Sequence, residues 1–195
     1  MIGGMGRWEP NARGRLERAA MELFVERGFE QTTVTEIAAR AGLTQRTFFR
    51  HYADKREVLF AGAPVLEEFL VNSIASAPDS AAPIDVVAAA VVAVGAVMQE
   101  RREYSRQRQA VIDANPELQE RELIKLASLA SAIAGALRKR GVGDPAASLT
   151  AEAGIAVLKV AFTQWVYQAG PADLPHLMLA SFGELKAVTA SSAKT

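Results

Sequence analysis

The sequence predicts an all-α protein in which a small N-terminal helix-turn-helix domain precedes a larger helical domain. Apolar residues recur at intervals of three and four along most of the chain, and no stretch predicts a β-strand. Hydrophobic residues make up 50% of the chain and aromatic residues only 7%, and this composition, with its abundant alanine, favours closely packed helices. We expect about nine helices, divided between domains at 1–56 and 57–195.

The composition excludes several classes of protein. The chain has no cysteine, which excludes disulfides, a thiolate zinc site and a cysteine nucleophile. The N-terminal stretch MIGGMGRWEP lacks the apolar core of a signal peptide, and the longest apolar run, from Val86 to Met98, is too short to span a membrane. We therefore expect a cytoplasmic protein that has no membrane partner.

Charge is distributed unevenly although the formal net charge is zero. Residues 1–56 contain ten Arg and Lys against seven Asp and Glu, a net charge of +3. Residues 57–195 contain twelve against fifteen, a net charge of −3. A cationic first domain on an acidic second domain would direct a nucleic acid to one end of the molecule.

The first two helices have clear start and stop signals. Helix one runs from about Pro10 to Arg27 and ends at Gly28. Helix two opens at Thr33 or Thr35, and Thr33 with Glu36 fits the capping-box pattern. It ends at a glycine, position 42, where a positive φ is tolerated.

A third helix follows after only two residues, capped by Thr44. We expect Leu43, Phe48 and Tyr52 to pack it against the second helix. Its outer face then carries long, polar or cationic side chains: Gln45, Arg46, Thr47, Phe49, Arg50 and His51. This pattern is typical of a helix-turn-helix, whose second helix enters the DNA major groove, although two ordinary helices with a solvated face would give a similar pattern.

A longer fourth helix is expected from Asp54 towards Ala75, with a kink or break at Gly62–Pro64 because proline removes a backbone hydrogen bond. Lys55 and Arg56 lie in its first turn, where they would oppose the helix dipole unless an anion is close. The remaining helices are predicted at 84–100, 101–115, 116–140, 145–170 and 173–189, two of them opened by the pairs Asn115-Pro116 and Asp144-Pro145.

From about Arg15 to Phe60 the chain resembles the N-terminal domain of the TetR (tetracycline-repressor) family of bacterial transcription regulators. The resemblance lies in AAMELFVERGFEQTTV, EIAARAGLT and RTFFRHYADKREVLF, in that order. It covers about a quarter of the chain and is far more specific than a generic helix-turn-helix. It implies a C-terminal domain that binds a ligand and forms a homodimer through its last two long helices.

The DNA-binding residues follow from the helix geometry and from this resemblance. Gln45, Arg46 and Thr47 start the recognition helix, where side chains reach base edges. The family also uses the positions of Thr33, Thr35, Phe49, His51 and Lys55 for backbone or flanking contacts, which set register. Thr44 and Arg50 complete the predicted set. Phe49 replaces a frequent tyrosine, so a hydroxyl–phosphate bond is lost, and Arg50 could substitute for it.

The second domain has no catalytic motif, no metal-ligand spacing and no cofactor-binding loop, so we expect neither an enzyme nor a bound metal or cofactor. Ligand-pocket candidates are Phe69, Met98, Tyr104, Phe162 and Trp165. Dimer-interface candidates are Ala153, Val157, Val160, Gln164, Leu177, Ala180, Ser181 and Leu185. All of these residues could equally be ordinary core. The cluster Arg101, Arg102, Arg106 and Arg108 could hold an anion or form a solvated face with local ion pairs.

The preferred hypothesis is a homodimeric regulator, most simply a repressor, that a small apolar effector releases from a palindromic operator. Two heads about one DNA turn apart (~34–36 Å) are needed to bind a palindrome. The main alternative is a helical enzyme or small-molecule carrier with a helix-turn-helix-like turn and no role on DNA. A third is an activator or architectural DNA binder without a ligand.

Overall fold

The computed structural model describes residues 11–190, so residues 1–10 and 191–195 of the two predicted domains lie outside the described part. This part is helical and contains no β-strand. Its nine α-helices are α1 (Ala12–Arg27), α2 (Val34–Arg40), α3 (Gln45–His51), α4 (Ala63–Ala75), α5 (Pro83–Met98), α6 (Arg102–Asp113), α7 (Pro116–Lys139), α8 (Ala146–Tyr167) and α9 (Leu174–Ala190). Two short 3-10 helices cover Arg56–Phe60 and Gln99–Arg101. The predicted all-α fold class is confirmed.

The first three helices begin and end where their caps require. Asn11 accepts a hydrogen bond from the Gly14 amide to start α1, and Gly28 ends it with φ of 85°. Thr33 and Glu36 form the complete capping box of α2. Gly42 takes φ of 64° in the turn, and Thr44 accepts from the Thr47 amide to start α3.

The segment after α3 differs from a single long helix. Asp54 Oδ1 accepts from the amides of Arg56 and Glu57, but the turn that follows is a 3-10 helix that ends at Phe60. The α-helix starts again at Ala63 with Pro64 in its first turn. Amide groups of the first turn have no acceptor within the helix, so the missing N–H of proline costs no hydrogen bond there. The break expected at Gly62–Pro64 is confirmed.

Two other helix starts differ from each other although their sequences are similar. α7 begins at Pro116, directly after Asn115, as the sequence predicts. α8 begins one residue later than its proline, at Ala146, and the Asp144 carboxylate, which does not cap the helix backbone, is bound to the Arg138 guanidinium at 2.8 Å and accepts from the Ser148 hydroxyl at 3.1 Å. Asp173 does act as a cap, since its Oδ1 accepts from the His176 amide at the start of α9.

The helices enclose two apolar cores. We call residues 11–60 the head and residues 63–190 the body. The head core is formed by α1–α3 and the first 3-10 helix, and it also takes in Val111 and Ile112 of α6 and Leu118 of α7. The body core lies between α4, α5, α7, α8 and α9. Helix α7 therefore contributes to both cores, whereas α6, although part of the body, packs into the head core.

Three stretches of the described chain, 56–75, 83–113 and 146–167, are long and apolar enough to cross a membrane by length and composition alone. Each of them supplies residues to one or both of these cores. Val87, Val91 and Trp165, for example, are fully buried between helices of the body. Some of the apolar side chains in each stretch are thus used for packing within the fold.

Candidate nucleic-acid interface and ligand cavities

The recognition surface is the outer face of α3. Phe48 is fully buried and packs against the rings of Phe49 and Tyr52, with centroid distances of 5.6 and 5.5 Å. With Phe48 turned inwards, the side chains of Gln45, Arg46, Phe49, Arg50 and His51 are exposed. Within residues 11–190, none of the polar ones among them forms a hydrogen bond or ion pair. Their donors are available to an external partner.

The threonines predicted at the DNA lie on the first turns of α2 and α3, exposed or partly exposed. The Thr33 hydroxyl donates to Glu36 Oε2 at 2.8 Å, while Thr44 and Thr47 share a hydrogen bond of 3.0 Å between their hydroxyls. The backbone and side chain of Thr33, in that order, lower the pKa of Glu36 by donating to its carboxylate. Thr35 is exposed. These interactions fix both helix starts.

Two ion-pair groups hold α2 against α1. Arg40 binds Glu26 at 2.9 Å and Glu22 at 3.3 Å, and Arg27 binds Glu36 at 2.8 Å. The hydrogen bond from Arg40 lowers the pKa of Glu26. These arginines are therefore occupied, in contrast to those on α3.

Lys55 has a structural role that its sequence position does not reveal. Its ammonium donates to the carbonyls of Phe29 and Thr32 at 2.8 and 3.2 Å, and it lies 4.2 Å from the centre of the Phe29 ring. Arg56, the other cation of this turn, is bound to Asp54 at 2.6 Å. Both cations thus have partners inside the protein, and neither requires an external anion.

The C-terminal end of α3 is tied to α1 through Tyr52. Its hydroxyl donates to Glu17 Oε1 at 2.8 Å and accepts from Arg13 Nε at 3.3 Å. Burial, together with the bond to Glu17, raises the pKa of Tyr52 well above its ordinary value. Arg13 also donates to the Ala61 carbonyl at 2.6 Å, which connects the recognition helix to the segment that leads into α4.

That connecting segment is bound to the body by charged side chains. Arg108 of α6 donates to the Leu59 carbonyl at 2.7 Å and forms an ion pair with Glu122 at 3.2 Å. Glu57 accepts from Arg121 at 2.7 Å and from Lys125 at 3.3 Å, both on α7. A movement of α6 or α7 would therefore be transmitted directly to the head.

Two cavities lie beside these contacts. The junction cavity, of about 520 Å³, lies between head and body and is lined by Arg13, Glu17, Val58, Leu59, Phe60, Ala61, Gly62, Ala63, Val65, Val97, Met98, Arg101, Tyr104, Ser105, Arg108 and Phe162. The side cavity, of about 620 Å³, lies between α6, α7 and α8 and includes Asp113, Glu122, Leu123, Leu126, Leu158, Lys159 and Tyr167. Met98, Arg108 and Phe162 line both cavities and form the wall between them.

Two family profiles match the chain. Residues 17–61 match the profile of the family described as bacterial regulatory proteins, tetR family. Residues 81–190, more than half of the chain, match the profile described as the MftR C-terminal domain. The chain belongs to the TetR family. It is a transcriptional regulator with an N-terminal DNA-binding domain and a helical C-terminal domain, as the resemblance in the sequence implies.

Individual relatives agree with this assignment. The chain is 37% identical to the transcriptional regulator TcmR of Streptomyces glaucescens over 42% of its length and 36% of TcmR, so it spans about a third of that relative. It is 27% identical to MftR of Mycobacterium tuberculosis over 71% of its length and 70% of MftR. The crystal structure of FadR from Bacillus subtilis in complex with stearoyl-CoA shares the fold, with a TM-score of 0.63 and 19% identity over 88% of this chain and 96% of FadR.

In this TetR-family protein only part of the predicted ligand set lies together. Met98, Tyr104 and Phe162 line the junction cavity, whereas Phe69 and Trp165 do not. Trp165 is fully buried behind Phe162, with ring centroids 5.7 Å apart. Phe69 lies on α4 and is partly exposed.

The predicted interface residues also divide. Val160 is 59% exposed on α8, and Gln164 and Ala180 are exposed as well. Ala153, Leu177, Ser181 and Leu185 are half-buried. Val157 is only 4% exposed and packs in the core of its own protomer, so it offers little surface to a partner.

The arginine cluster on and before α6 has several roles. Arg102 donates to the carbonyls of Trp165 and Gln168 at 3.0 and 2.6 Å and so satisfies the C-terminal end of α8. Arg108 binds Leu59 and Glu122 as described above. Arg106 is exposed and has no partner within residues 11–190.

Four residues of the site were not predicted from the sequence: Arg13, Glu57, Ser105 and Arg121. Of these, only Ser105 carried a signal, its helical spacing from Arg101 and Arg108.

Proposed function

We propose that this regulator is a homodimeric repressor that binds a palindromic operator and is released when a small molecule with a largely apolar body occupies the junction cavity. The DNA-binding part is supported by the outer face of α3. Its exposed polar side chains form no hydrogen bond or ion pair inside the described chain; they are those of Gln45, Arg46, Arg50 and His51. Elsewhere in the head, Arg27, Arg40, Lys55 and Arg56 are bound to carboxylates or carbonyls.

Each exposed group has a defined role in this proposal. Arg46 pairs with guanine O6 and N7, Gln45 pairs with adenine, and Thr47 contacts a thymine methyl or a phosphate. Thr33, Thr35, Thr44, Phe49, Arg50 and His51 contact the DNA backbone or flank it and set the register. Lys55 would have to share its ammonium between a phosphate and the carbonyls it already binds, so it has the least support.

The dimer part is supported by exposed apolar side chains on α8 and α9. Leu149 is 66% exposed and Val160 is 59% exposed on α8. Leu179 and Val188 are similarly exposed on α9. Pairing of these helices with those of a second copy would cover this surface and place two heads for successive major grooves, about 34–36 Å apart. The proposed site of action is the cytoplasm, without a membrane role.

The ligand part is supported by the position of the junction cavity. Leu59 and Phe60 of the head form one of its walls, and Met98 and Phe162 of the body form another. A ligand that fits one head–body arrangement better than the other shifts the population towards it, and it does so only by the difference in its affinity for the two.

Selection of bound fragments from random duplex DNA at a fixed salt concentration tests the DNA-binding part. We expect a palindromic sequence, bound with a stoichiometry of two chains per site. The double variant Arg46→Ala/Thr47→Ala should lose about tenfold or more in affinity for the selected site, since each good base contact contributes roughly 1–3 kcal/mol.

The matched control is Arg106→Ala, which removes an exposed, unpartnered arginine from the body. It should bind the selected site as the unchanged protein does, and sedimentation should give a dimer for all three proteins. Retention of specific binding by the double variant, or a monomer in sedimentation, would contradict the proposal. An enzyme or carrier without a role on DNA would select no sequence.

A further inference from the structure

One face of α6 and the turn before it lines the junction cavity. Arg101, Tyr104, Ser105 and Arg108 are spaced by three and four residues, which brings their side chains to the same side of a helix. Arg102 and Arg106 lie off this face and do not line the cavity. The cavity therefore meets a row of two guanidinium groups with a phenol and a hydroxyl between them.

Ser105 is unusual among these residues. It is 6% exposed, and its hydroxyl forms no hydrogen bond within residues 11–190. A helical serine often donates to the carbonyl four residues earlier, as the exposed Ser131 donates to Ala127 at 3.0 Å. The Ser105 hydroxyl is not completely enclosed, and because it lines the cavity it can donate to a group that enters there.

The charge around the cavity favours an anion. Three guanidinium groups line it, from Arg13, Arg101 and Arg108, against a single carboxylate, from Glu17. Two of the guanidinium groups already have a carboxylate partner, Arg13 with Glu17 at 3.3 Å and Arg108 with Glu122 at 3.2 Å, so Arg101 supplies the uncompensated positive charge. Arg101 has no hydrogen bond or ion pair within the described residues, and its guanidinium lies 5.0 Å from the centre of the Tyr104 ring.

The rest of the wall is apolar. It is formed by Val58, Leu59, Val65, Val97, Met98 and Phe162. A ligand with a single charged group would place its remaining atoms against these side chains, where burial of each CH₂ contributes about 0.8 kcal/mol.

We infer that the effector is an amphipathic anion whose negative group binds Arg101, Ser105 and Arg108 and whose apolar part lies against the opposite wall. This inference rests on the proposed ligand site and assigns its chemical class. It also gives Arg108 a positioning role in the response. A negative group that takes the Arg108 donors competes with the Leu59 carbonyl, which Arg108 holds at 2.7 Å, and so loosens the head from α6.

Binding can be tested without DNA by isothermal titration calorimetry with three probes of equal chain length: decanoate, 1-decanol and decyltrimethylammonium. Decanoate should bind at least about tenfold more tightly than the alcohol, and the ammonium compound most weakly, because charge-assisted hydrogen bonds are formed only by the carboxylate. Equal binding of the three probes, or no binding of decanoate, would overturn the assigned class.

The location is tested by Ser105→Ala and Arg101→Met. Neither side chain forms a hydrogen bond or ion pair in the described chain, so neither change should unfold the protein. Each should weaken decanoate binding about tenfold, whereas the matched control Arg106→Met should leave it unchanged. Wild-type affinity for decanoate in both variants would place the anion elsewhere and contradict the inference.

Arg108→Met tests the response at a decanoate concentration that calorimetry shows to saturate the variant, because Arg108 also belongs to the proposed anion site. In the unchanged protein, decanoate should weaken binding to the selected operator, while in Arg108→Met the operator affinity should no longer depend on decanoate. A full response in this variant would remove the positioning role of Arg108. If the calorimetric pattern holds but no DNA sequence can be selected, the ligand class stands and the proposed regulatory function fails, so the two failures are distinguishable.

Discussion

The head and the body are stabilised by different kinds of side chain. Aromatic rings dominate the small head core, in which Phe24, Phe29, Phe48, Tyr52 and Phe60 are all buried. The larger body core has only two buried aromatic side chains, Trp165 and Phe182, among many alanines and valines. Ion pairs between helices occur in both regions, as at Arg40 with Glu26 in the head and Arg108 with Glu122 in the body.

This difference follows from size. A core formed mainly by three helices buries little area, so large side chains occupy many of its buried positions. The long helices of the body can instead approach one another closely along small residues. Gly154 of α8 lies against Val87 of α5 and Gly95 of α5 lies against Met178 of α9, with no room for a Cβ atom.

The largest expected effect is in the head. Phe48→Ala removes the fully buried ring on which α3 rests and should cost about 3–5 kcal/mol of unfolding free energy, because the small core cannot collapse around the gap. Urea denaturation followed by circular dichroism measures this. The neighbouring change Phe49→Ala, at a residue that is 51% exposed, should cost about 1 kcal/mol or less. Equal losses would show that the head does not depend on single large rings.

A smaller loss is expected from adding one methyl group to the body. In Gly154→Ala the new Cβ would overlap Val87 Cγ1, and the overpacking should cost about 1–3 kcal/mol. The same change at Gly135 of α7 meets no atom within 4 Å and should stabilise the helix by up to about 1 kcal/mol. Val87→Ala combined with Gly154→Ala should recover part of the loss. If the two glycines respond alike, close approach is not what organises the body.

The smallest effect is a pH dependence at the start of the first 3-10 helix. Hydrogen bonds from the Arg56 side chain, and then from the backbone amides, hold the pKa of Asp54 below its ordinary value of 3.8. Because the folded pKa is the lower one, the carboxylate contributes its full stability above pH 3.8 and loses it as the pH falls through the folded pKa. In Asp54→Asn the unfolding free energy should depend less on pH in this range, and the difference should be less than about 1 kcal/mol.

The matched change in the body is Asp144→Asn, since Asp144 is bound to Arg138 with similar geometry and its pKa is likewise lowered. The Asp144 side chain is 56% exposed and that of Asp54 is 38% exposed, so added salt should weaken the effect of Asp144 on the pH profile more than that of Asp54. Loss of both effects in salt would show that the head turn is no better shielded than the surface of the body.

Several elements could be predicted from the sequence because their determinants are local. Thr33 with Glu36, Gly42 and Thr44 fix the helix-turn-helix within a few residues, and Pro64 marks the break that the structure contains. Lys55 could not be assigned in this way. Its partners are carbonyls more than twenty residues earlier, so only the packing of α1 against the turn determines where its ammonium lies.

The chain alone therefore determined the helices, the family and the exposed face of α3, because capping, periodicity and turn chemistry operate over neighbouring residues. Tertiary structure decided which arginines remain available and where the cavities lie. Arg101 and Arg102 are adjacent in sequence, yet their surroundings differ. Arg102 donates to carbonyls at the end of α8, whereas Arg101 lines the junction cavity and forms no hydrogen bond or ion pair in the described chain. The physical reason is that a helix turns by about 100° per residue, so neighbouring side chains point in different directions. The surroundings that each side chain meets in the folded protein therefore determine its role.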